Sequence, residues 1–318
     1  MTLLIVTIII ALGFEITNAF HDTANSIATT VSTKVLTPKK AILLASVFNL
    51  IGALMSNNVA KTISSGLTLP INSQLVIISA LVAAIVWNLV TWHFGLPSSS
   101  SHAIIGGLLG ASITYAGFNI VKWGGVVTKV LIPIITSPVL GFIIALIIIK
   151  VLNTFTVSDN KWFKKLQILS ATFMAYAHGS NDASKTMGII TMALVSSGFY
   201  TGTNIPVWVI ILCAVTMAIG TSFGGWKIIR TMGDKITTLD NKQGFVAETS
   251  AAIVIESMSV FAIPVSTTHV ISSSIIGVGA SKGKESVAWN IVTNMLSAWI
   301  LTIPVTAVLA SIILLIIN

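Results

Sequence analysis

Two kinds of polar motif recur in this chain, and their residue types divide into ligands for a cation and donors for an anion. His21-Asp22-Thr23-Ala24-Asn25 lies early in the sequence, and Asn181-Asp182-Ala183-Ser184-Lys185 echoes it 160 residues later (22 to 182). Pro97-Ser98-Ser99-Ser100-Ser101-His102 opens one apolar, glycine-rich stretch, and Pro264-Val265-Ser266-Thr267-Thr268-His269 opens another. Proline and histidine are both offset by 167 residues (97 to 264, 102 to 269). A carboxylate with amide oxygens at neighbouring positions is the ligand set of a hard cation such as Na⁺, and a carboxylate alone relays protons. This chemistry points to Asp22 and Asp182; the alternative is that each sits at a helix end in contact with water. Proline suits a first helical turn, where Ser or Thr caps free backbone N–H groups. Two such helix starts converging would aim N–H groups, hydroxyls and positive dipole ends at one point, which is an oxyanion site. For either copy alone, ordinary capping of a re-entrant helix suffices; the pair favours the anion.

Other polar residues have open roles. His102 and His269 are candidates for ligands, proton carriers or structural donors. Lys185, one turn after Asp182, either neutralises that acid or lends positive charge to an anion site. Glu248 and Glu256 are eight residues apart, about two helical turns on one face, and Glu248 is the stronger candidate for a proton or charge role. Glu15 has no partner in the second half, nor does His93. The segment 224–236 is glycine-rich and basic but matches no nucleotide-binding loop, and a cytoplasmic hinge accounts for it.

The elements that position these residues follow from composition. Hydrophobic residues make up 54% and charged residues 8% of the chain, against roughly 25% charged in an ordinary soluble domain; the mean hydropathy is +0.96. Runs long enough to span a bilayer, about 20 residues, recur at 2–19, 41–60, 75–92, 126–149, 205–223, 245–263 and 287–317. A soluble domain is excluded because no segment supplies the polar surface to cover such a core. The apolar start lacks a basic n-region and a cleavage site, so it reads as a first membrane helix. A single cysteine, Cys213, excludes an intramolecular disulfide. The net charge of +8 does not signal nucleic acid, because the basic residues fall in short connections where membrane topology explains them.

Loop charges predict that topology. Lys34, Lys39 and Lys40 follow the first Asp motif without an acid and read as cytoplasmic, whereas 64–73 is uncharged and reads as external. Lys150, Lys161, Lys164 and Lys165 outweigh Asp159 in a cytoplasmic mid-chain connection. The uncharged loop 196–204 after the second Asp motif is external, and Lys227, Arg230, Lys235 and Lys242 return to the cytoplasm. Equivalent loops therefore lie on opposite sides, the mark of an inverted repeat, with both termini external. The expected fold is an all-α polytopic membrane protein, an inverted-topology repeat with broken or re-entrant helices and roughly 10–12 membrane segments. Residues 1–150 form the first repeat, 151–165 a cytoplasmic connection, and 166–318 the second, inverted repeat.

At these motifs the chain resembles the inorganic phosphate transporter (PiT) family, over essentially its full length. The segments that carry the likeness are Asn18-Ala19-Phe20-His21-Asp22-Thr23-Ala24-Asn25, His178-Gly179-Ser180-Asn181-Asp182, both Pro-(Ser/Thr)-His motifs, and Gly-Gly-Trp-Lys running on to Gln243-Gly244-Phe245-Val246-Ala247-Glu248. The resemblance implies a low-affinity phosphate permease of the bacterial type, a multi-pass plasma-membrane symporter of inorganic phosphate with a cation, without cofactor and assembled as a homodimer. By it, Asp22, Asn25, Asn181 and Asp182 would hold the coupling cation, with Asp22 and Asp182 the metal ligands if that ion is Na⁺. Ser99, Ser100, Ser101, Ser266, Thr267 and Thr268 would hold phosphate. Many members carry Asn-Asp-x-Ala-Asn in both halves; here the first copy begins with His21 and the second ends with Lys185. A charged lysine cannot ligate Na⁺. That departure brings the chain nearer to bacterial members associated with protons or neutral metal–phosphate complexes, with His21 as a proton carrier.

Three rivals have distinguishing marks. A sulfate permease could use the same anion site, but phosphate near neutral pH keeps a proton to donate to a carboxylate and sulfate does not. An intramembrane hydrolase built from Ser, His and Asp has no reason for two inverted sets. A channel would conduct without stoichiometric coupling, against which paired broken helices argue.

Overall fold

The computed structural model describes residues 1–155, 160–202 and 204–318. An apolar run in lipid must satisfy its backbone N–H and C=O groups within itself, so helix is the expected answer for an open chain. The described residues are helical apart from short connections and one isolated antiparallel bridge, Thr68 to Val121. The helices are α1 (Thr2–Ser32), α2 (Pro38–Met55), α3 (Asn58–Lys61), α4 (Gln74–Phe94), α5 (Ser100–Ala116), α6 (Trp123–Val126), α7 (Ile132–Thr154), α8 (Asn160–Ser196), α9 (Val207–Phe223), α10 (Trp226–Arg230), α11 (Asn241–Val260), α12 (Thr267–Ala280) and α13 (Trp289–Ile317).

The same sequence of elements occurs twice. A long helix with an Asp motif (α1, α8) precedes a helix that breaks and resumes as a short turn and a π-helical segment (α2, α3 and Thr62–Gly66; α9, α10 and Thr231–Lys235). A long helix (α4, α11), a short helix that starts at a Ser/Thr motif (α5, α12) and a closing helix (α6–α7, α13) complete each half. Two side-chain contacts fix the relative sense of α1 and α8. Glu15 meets Thr186, and Thr33 Oγ1 lies 3.0 Å from Gln167 Oε1, so residue numbers rise along one helix as they fall along the other. The halves run in opposite senses, as the loop charges predict.

Among the described residues, five helical stretches are long and apolar enough to cross a membrane: α1, α2, α4, Trp123–Thr154 and α13. The pair Val207–Phe223 and Trp226–Lys235, bent by 63°, makes a sixth if counted as one span. α5 and α12 fail that test by length, with 17 and 14 residues, and α8 and α11 by their polar residues, of which His178, Asn181, Asp182, Lys185 and Glu248 are buried in the protein. With these four, the described residues hold ten helices of fourteen residues or more. The connection expected at 151–165 is helical at both described ends, because α7 runs to Thr154 and the lysines 161, 164 and 165 ride on the start of α8. Asp159, weighed against those lysines above, lies outside the described residues.

Packing divides the interior into two apolar cores, and each core draws on both halves. One holds Ala11, Phe14 and Ala19 of α1 with Ala183, Ile189 and Ile190 of α8. The other holds Ala24, Ile27 and Ala28 of α1 with Met174, Ala175 and Ala177 of α8. Both long helices thus pass from one core to the other at their Asp motifs, leaving a buried polar layer between. Close crossing of α2 and α8 depends on glycine: a Cβ on Gly52 would collide with the Tyr176 carbonyl, and one on Gly179 with the Asn49 carbonyl. The exterior is apolar, with Ile9, Leu43, Ile135, Ile300 and Leu315 exposed, as lipid contact requires.

Candidate functional site

Each Asp motif sits in the middle of its helix, fully inside the protein. His21, Asp22, Asn25, Asn181, Asp182 and Lys185 are all 2% exposed or less. The Ser/Thr motifs reach the same layer because α5 and α12 start there. The Ser99 hydroxyl oxygen accepts from the His102 backbone N–H (3.1 Å), and that of Ser266 from the His269 N–H (3.2 Å). These two hydroxyls cap their own helices and spend their acceptor on the backbone.

The motifs meet across the halves. Asn25 Nδ2 donates to the hydroxyls of Thr267 and Thr268, 3.0 Å each, and the Thr268 hydroxyl donates to Asp22 Oδ1 at 3.3 Å. The Thr267 hydroxyl donates to Asp182 Oδ2 at 3.2 Å. Lys185 binds Asp182 and the Ser101 hydroxyl, and its Nζ lies 3.2 Å from the Val265 carbonyl. The Ser101 hydroxyl donates to that carbonyl, also at 3.2 Å. Of the two roles open to Lys185, its contacts are those of a counter-ion to Asp182. His21 Nδ1 lies 2.7 Å from Asp22 Oδ1, and its Nε2 3.0 Å from Thr91 Oγ1 on α4. Its repeat mate Asn181 reaches the matching helix, donating to Ser259 Oγ on α11 at 2.9 Å.

One residue of the cluster, His178, opens a segment that carries the family likeness but takes no role from it, because it has no matching residue in the repeat. His178 packs one turn before Asp182, with Nε2 3.1 Å from Asp182 Oδ2. Its Nδ1 faces Asn49 Oδ1 at 3.1 Å, while Asn49 Nδ2 is used on Thr221 at 3.0 Å. With its proton on Nδ1, the imidazole points a lone pair at a carboxylate, and the Nε2 contact is not aligned as a hydrogen bond. A cation or a second proton between them relieves that opposition. Ligand atoms of Asp22, His178 and Asp182 all lie within 4.8 Å of one another. The available signal was a histidine at i−4 from an aspartate, on one helix face. A search for repeated residues passes over it because its mate 160 positions earlier is Asn18.

The acceptors in this layer are not all used. Asn25 Oδ1, Asn181 Oδ1 and Ser100 Oγ are buried without a hydrogen-bond partner in the protein, and an unpaired buried acceptor costs about 1–3 kcal/mol. Carboxylates, amide oxygens and an imidazole nitrogen together can hold a cation, and the capped starts of α5 and α12 beside them can receive an anion.

Three predicted residues fall outside the cluster. Glu248 is held by Thr29, by Thr30 (2.8 Å) and by Gln167 (3.2 Å) and Ser170 of α8. Thr29 is seven residues from Asp22, about 10 Å along α1, so Glu248 belongs to a separate polar pocket. His102 and His269 turn to each other, ring centroids 4.7 Å apart, and His269 stacks on Trp299 at 3.9 Å. Neither histidine side chain pairs with an aspartate; their rings are taken up by each other and by Trp299.

Comparison with known proteins places this geometry. A family model described as "Phosphate transporter family" matches residues 18–161 and 156–310. The chain is 46% identical to a probable low-affinity inorganic phosphate transporter of Bacillus subtilis (strain 168), covering 99% of this chain and 98% of the relative. It is 45% identical to one from Rhizobium meliloti (strain 1021), covering 97% and 95%. Among solved structures it is similar to the sodium-dependent phosphate transporter, with a TM-score of 0.92 and 25% identity over 100% of this chain and 99% of that one.

Proposed function

The chain belongs to the phosphate transporter family, and we propose that it is a secondary symporter that carries inorganic phosphate with a cation. It is a membrane transporter and not an enzyme. The coupling cation binds at Asp22, His178 and Asp182, with Asn25 and Asn181 supplying amide oxygens. Phosphate binds at the starts of α5 and α12 through Ser100, Thr267 and Thr268, with Ser99 and Ser266 holding the helix starts in shape, while the Ser101 hydroxyl is taken up by Lys185 and the Val265 carbonyl. The observation that carries this reading is the cross-pairing of Asp22 and Asn25 with Thr267 and Thr268 in one buried layer between two apolar cores.

The physics of coupling follows from that proximity. A cation between the aspartates offsets their charge beside the anion, so each ligand raises the affinity for the other by the same factor. An empty or doubly loaded layer is cheaper to carry between two apolar cores than a singly charged one. Residues 1–150 and 166–318 act as the two inverted repeats, both termini are external, and alternating access is a rocking of the halves about the layer. The name of the solved neighbour supports Na⁺ as the coupling ion. The imidazole nitrogen of His178 suits a proton or a metal–phosphate complex better.

Uptake of labelled phosphate into proteoliposomes tests both arms, with Na⁺ and H⁺ gradients imposed separately and divalent metal added or chelated. Accumulation under one of these gradients, resistant to equimolar sulfate, is the expected result. No accumulation under either gradient, or complete block by sulfate, refutes the proposal.

A further inference from the structure

Resting on that reading, we propose that Lys185 is a tethered cation filling the second of two repeat-related cation positions, so that this chain couples one mobile cation fewer than it would with an amide there. Lys185 occupies the position of Asn25 in the other half, 160 residues on. Around Asn25 the protein leaves a ligand open: its amide Oδ1 is buried with no partner, beside an Asp22 that meets His21 and the Thr268 hydroxyl but no lysine. Around Lys185 the corresponding space is occupied. Its Nζ meets the Asp182 carboxylate, the Ser101 hydroxyl and the Val265 carbonyl, and Ser101 matches Thr268 of the first site at the 167-residue offset. Carboxylate, hydroxyl and carbonyl oxygens are the shell a hard cation takes.

The donor count also fits. An ammonium has three N–H groups, and three protein oxygens receive them, so none is left to point at phosphate. The residue is 1% exposed, which excludes a side chain reaching for the membrane surface. A strongly hydrated ammonium is buried here because the site supplies the oxygens that water would. The two aspartates then face one fixed positive charge, and a single mobile cation balances the other carboxylate.

The test compares wild type with Lys185→Asn and Lys185→Gln, using Lys185→Met as a control that has no ligating oxygen. In proteoliposomes, steady-state phosphate accumulation is measured against the size of an imposed Na⁺ gradient. Each coupled ion adds its own gradient to the driving force, so a ten-fold gradient should sustain about ten-fold more phosphate in an amide variant than in wild type. In detergent, the unfolding midpoint of the full chain is titrated with NaCl against choline chloride. An amide variant should gain a Na⁺-dependent rise beyond any that wild type and Lys185→Met show, and this readout holds even where transport is lost. Amide variants that gain no Na⁺ dependence in either measurement, whether active or inactive, overturn the proposal. If wild type itself accumulates no phosphate, the phosphate reading fails, and the stability titration still decides the role of Lys185.

Discussion

The two halves build their share of the buried layer from equivalent positions, yet they balance charge in different ways. In the first half Asp22 leans on His21 and on the Thr268 hydroxyl, and Asn25 leaves an oxygen unused. In the second half Asp182 is held by Lys185, which also ties down Ser101 and the Val265 carbonyl. One half is open to a mobile charge and the other carries a fixed one. A duplicated scaffold can therefore keep its helix geometry while the charge on its two aspartates is met differently, by a mobile cation at Asp22 and by the fixed ammonium of Lys185 at Asp182.

The strongest way to break this comparison is to remove each acid in turn. Asp182→Asn strands Lys185 in the interior, and breaking a buried pair in this way costs about 3–5 kcal/mol. Asp22→Asn strands no lysine and should destabilise far less, while cutting phosphate uptake about 5- to 150-fold, the span of an ordinary coupling free energy. Unfolding in detergent beside uptake in proteoliposomes separates the two effects. Equal loss of stability in both variants would show that the halves balance charge alike.

A finer contrast lies in the hydroxyls. Ser101→Ala leaves one Lys185 N–H without its acceptor, an unpaired buried donor worth about 1–3 kcal/mol, so its main effect is on the unfolding midpoint. Thr268→Ala removes the bond to Asp22 and one acceptor from Asn25, so its main effect is on phosphate uptake. Matching profiles in the two assays would contradict distinct roles.

The smallest effects should be the same on both sides. Ser99→Ala and Ser266→Ala each delete a helix cap, worth about 1 kcal/mol, and their unfolding midpoints should fall together. A large difference between them would mean that one serine contacts the transported anion directly.

Repetition made most of the site legible from sequence. Asp22 and Asp182, Asn25 and Lys185, and the paired Ser/Thr clusters stand out because a carboxylate or a hydroxyl run in an apolar helix has few structural uses, and two copies in order have fewer. Repetition also hid His178, whose mate is Asn18, and it drew the two motif histidines toward a site they do not join. Glu248 shares the rare status of a buried acid, but its partners Thr29, Thr30, Gln167 and Ser170 come from stretches with no motif at all. The role of Lys185 turned on Ser101 and Val265, and no spacing along the chain reports those contacts.

The duplicated order of elements, their helical state and the opposite senses of the halves are all legible along the chain. The last two follow from local physics: a backbone in lipid must bond to itself, and an excess of lysine in alternate connections marks the sense in which each segment runs. Tertiary structure alone decided which motif faces which. Asn25 meets Thr267 across 242 residues of chain at 3.0 Å, and elsewhere Gly52 and Gly179 let α2 and α8, helices of different halves, approach to backbone contact. Helical periodicity dictates the face on which a side chain lies; the partner face is chosen by the fit of surfaces far apart in sequence.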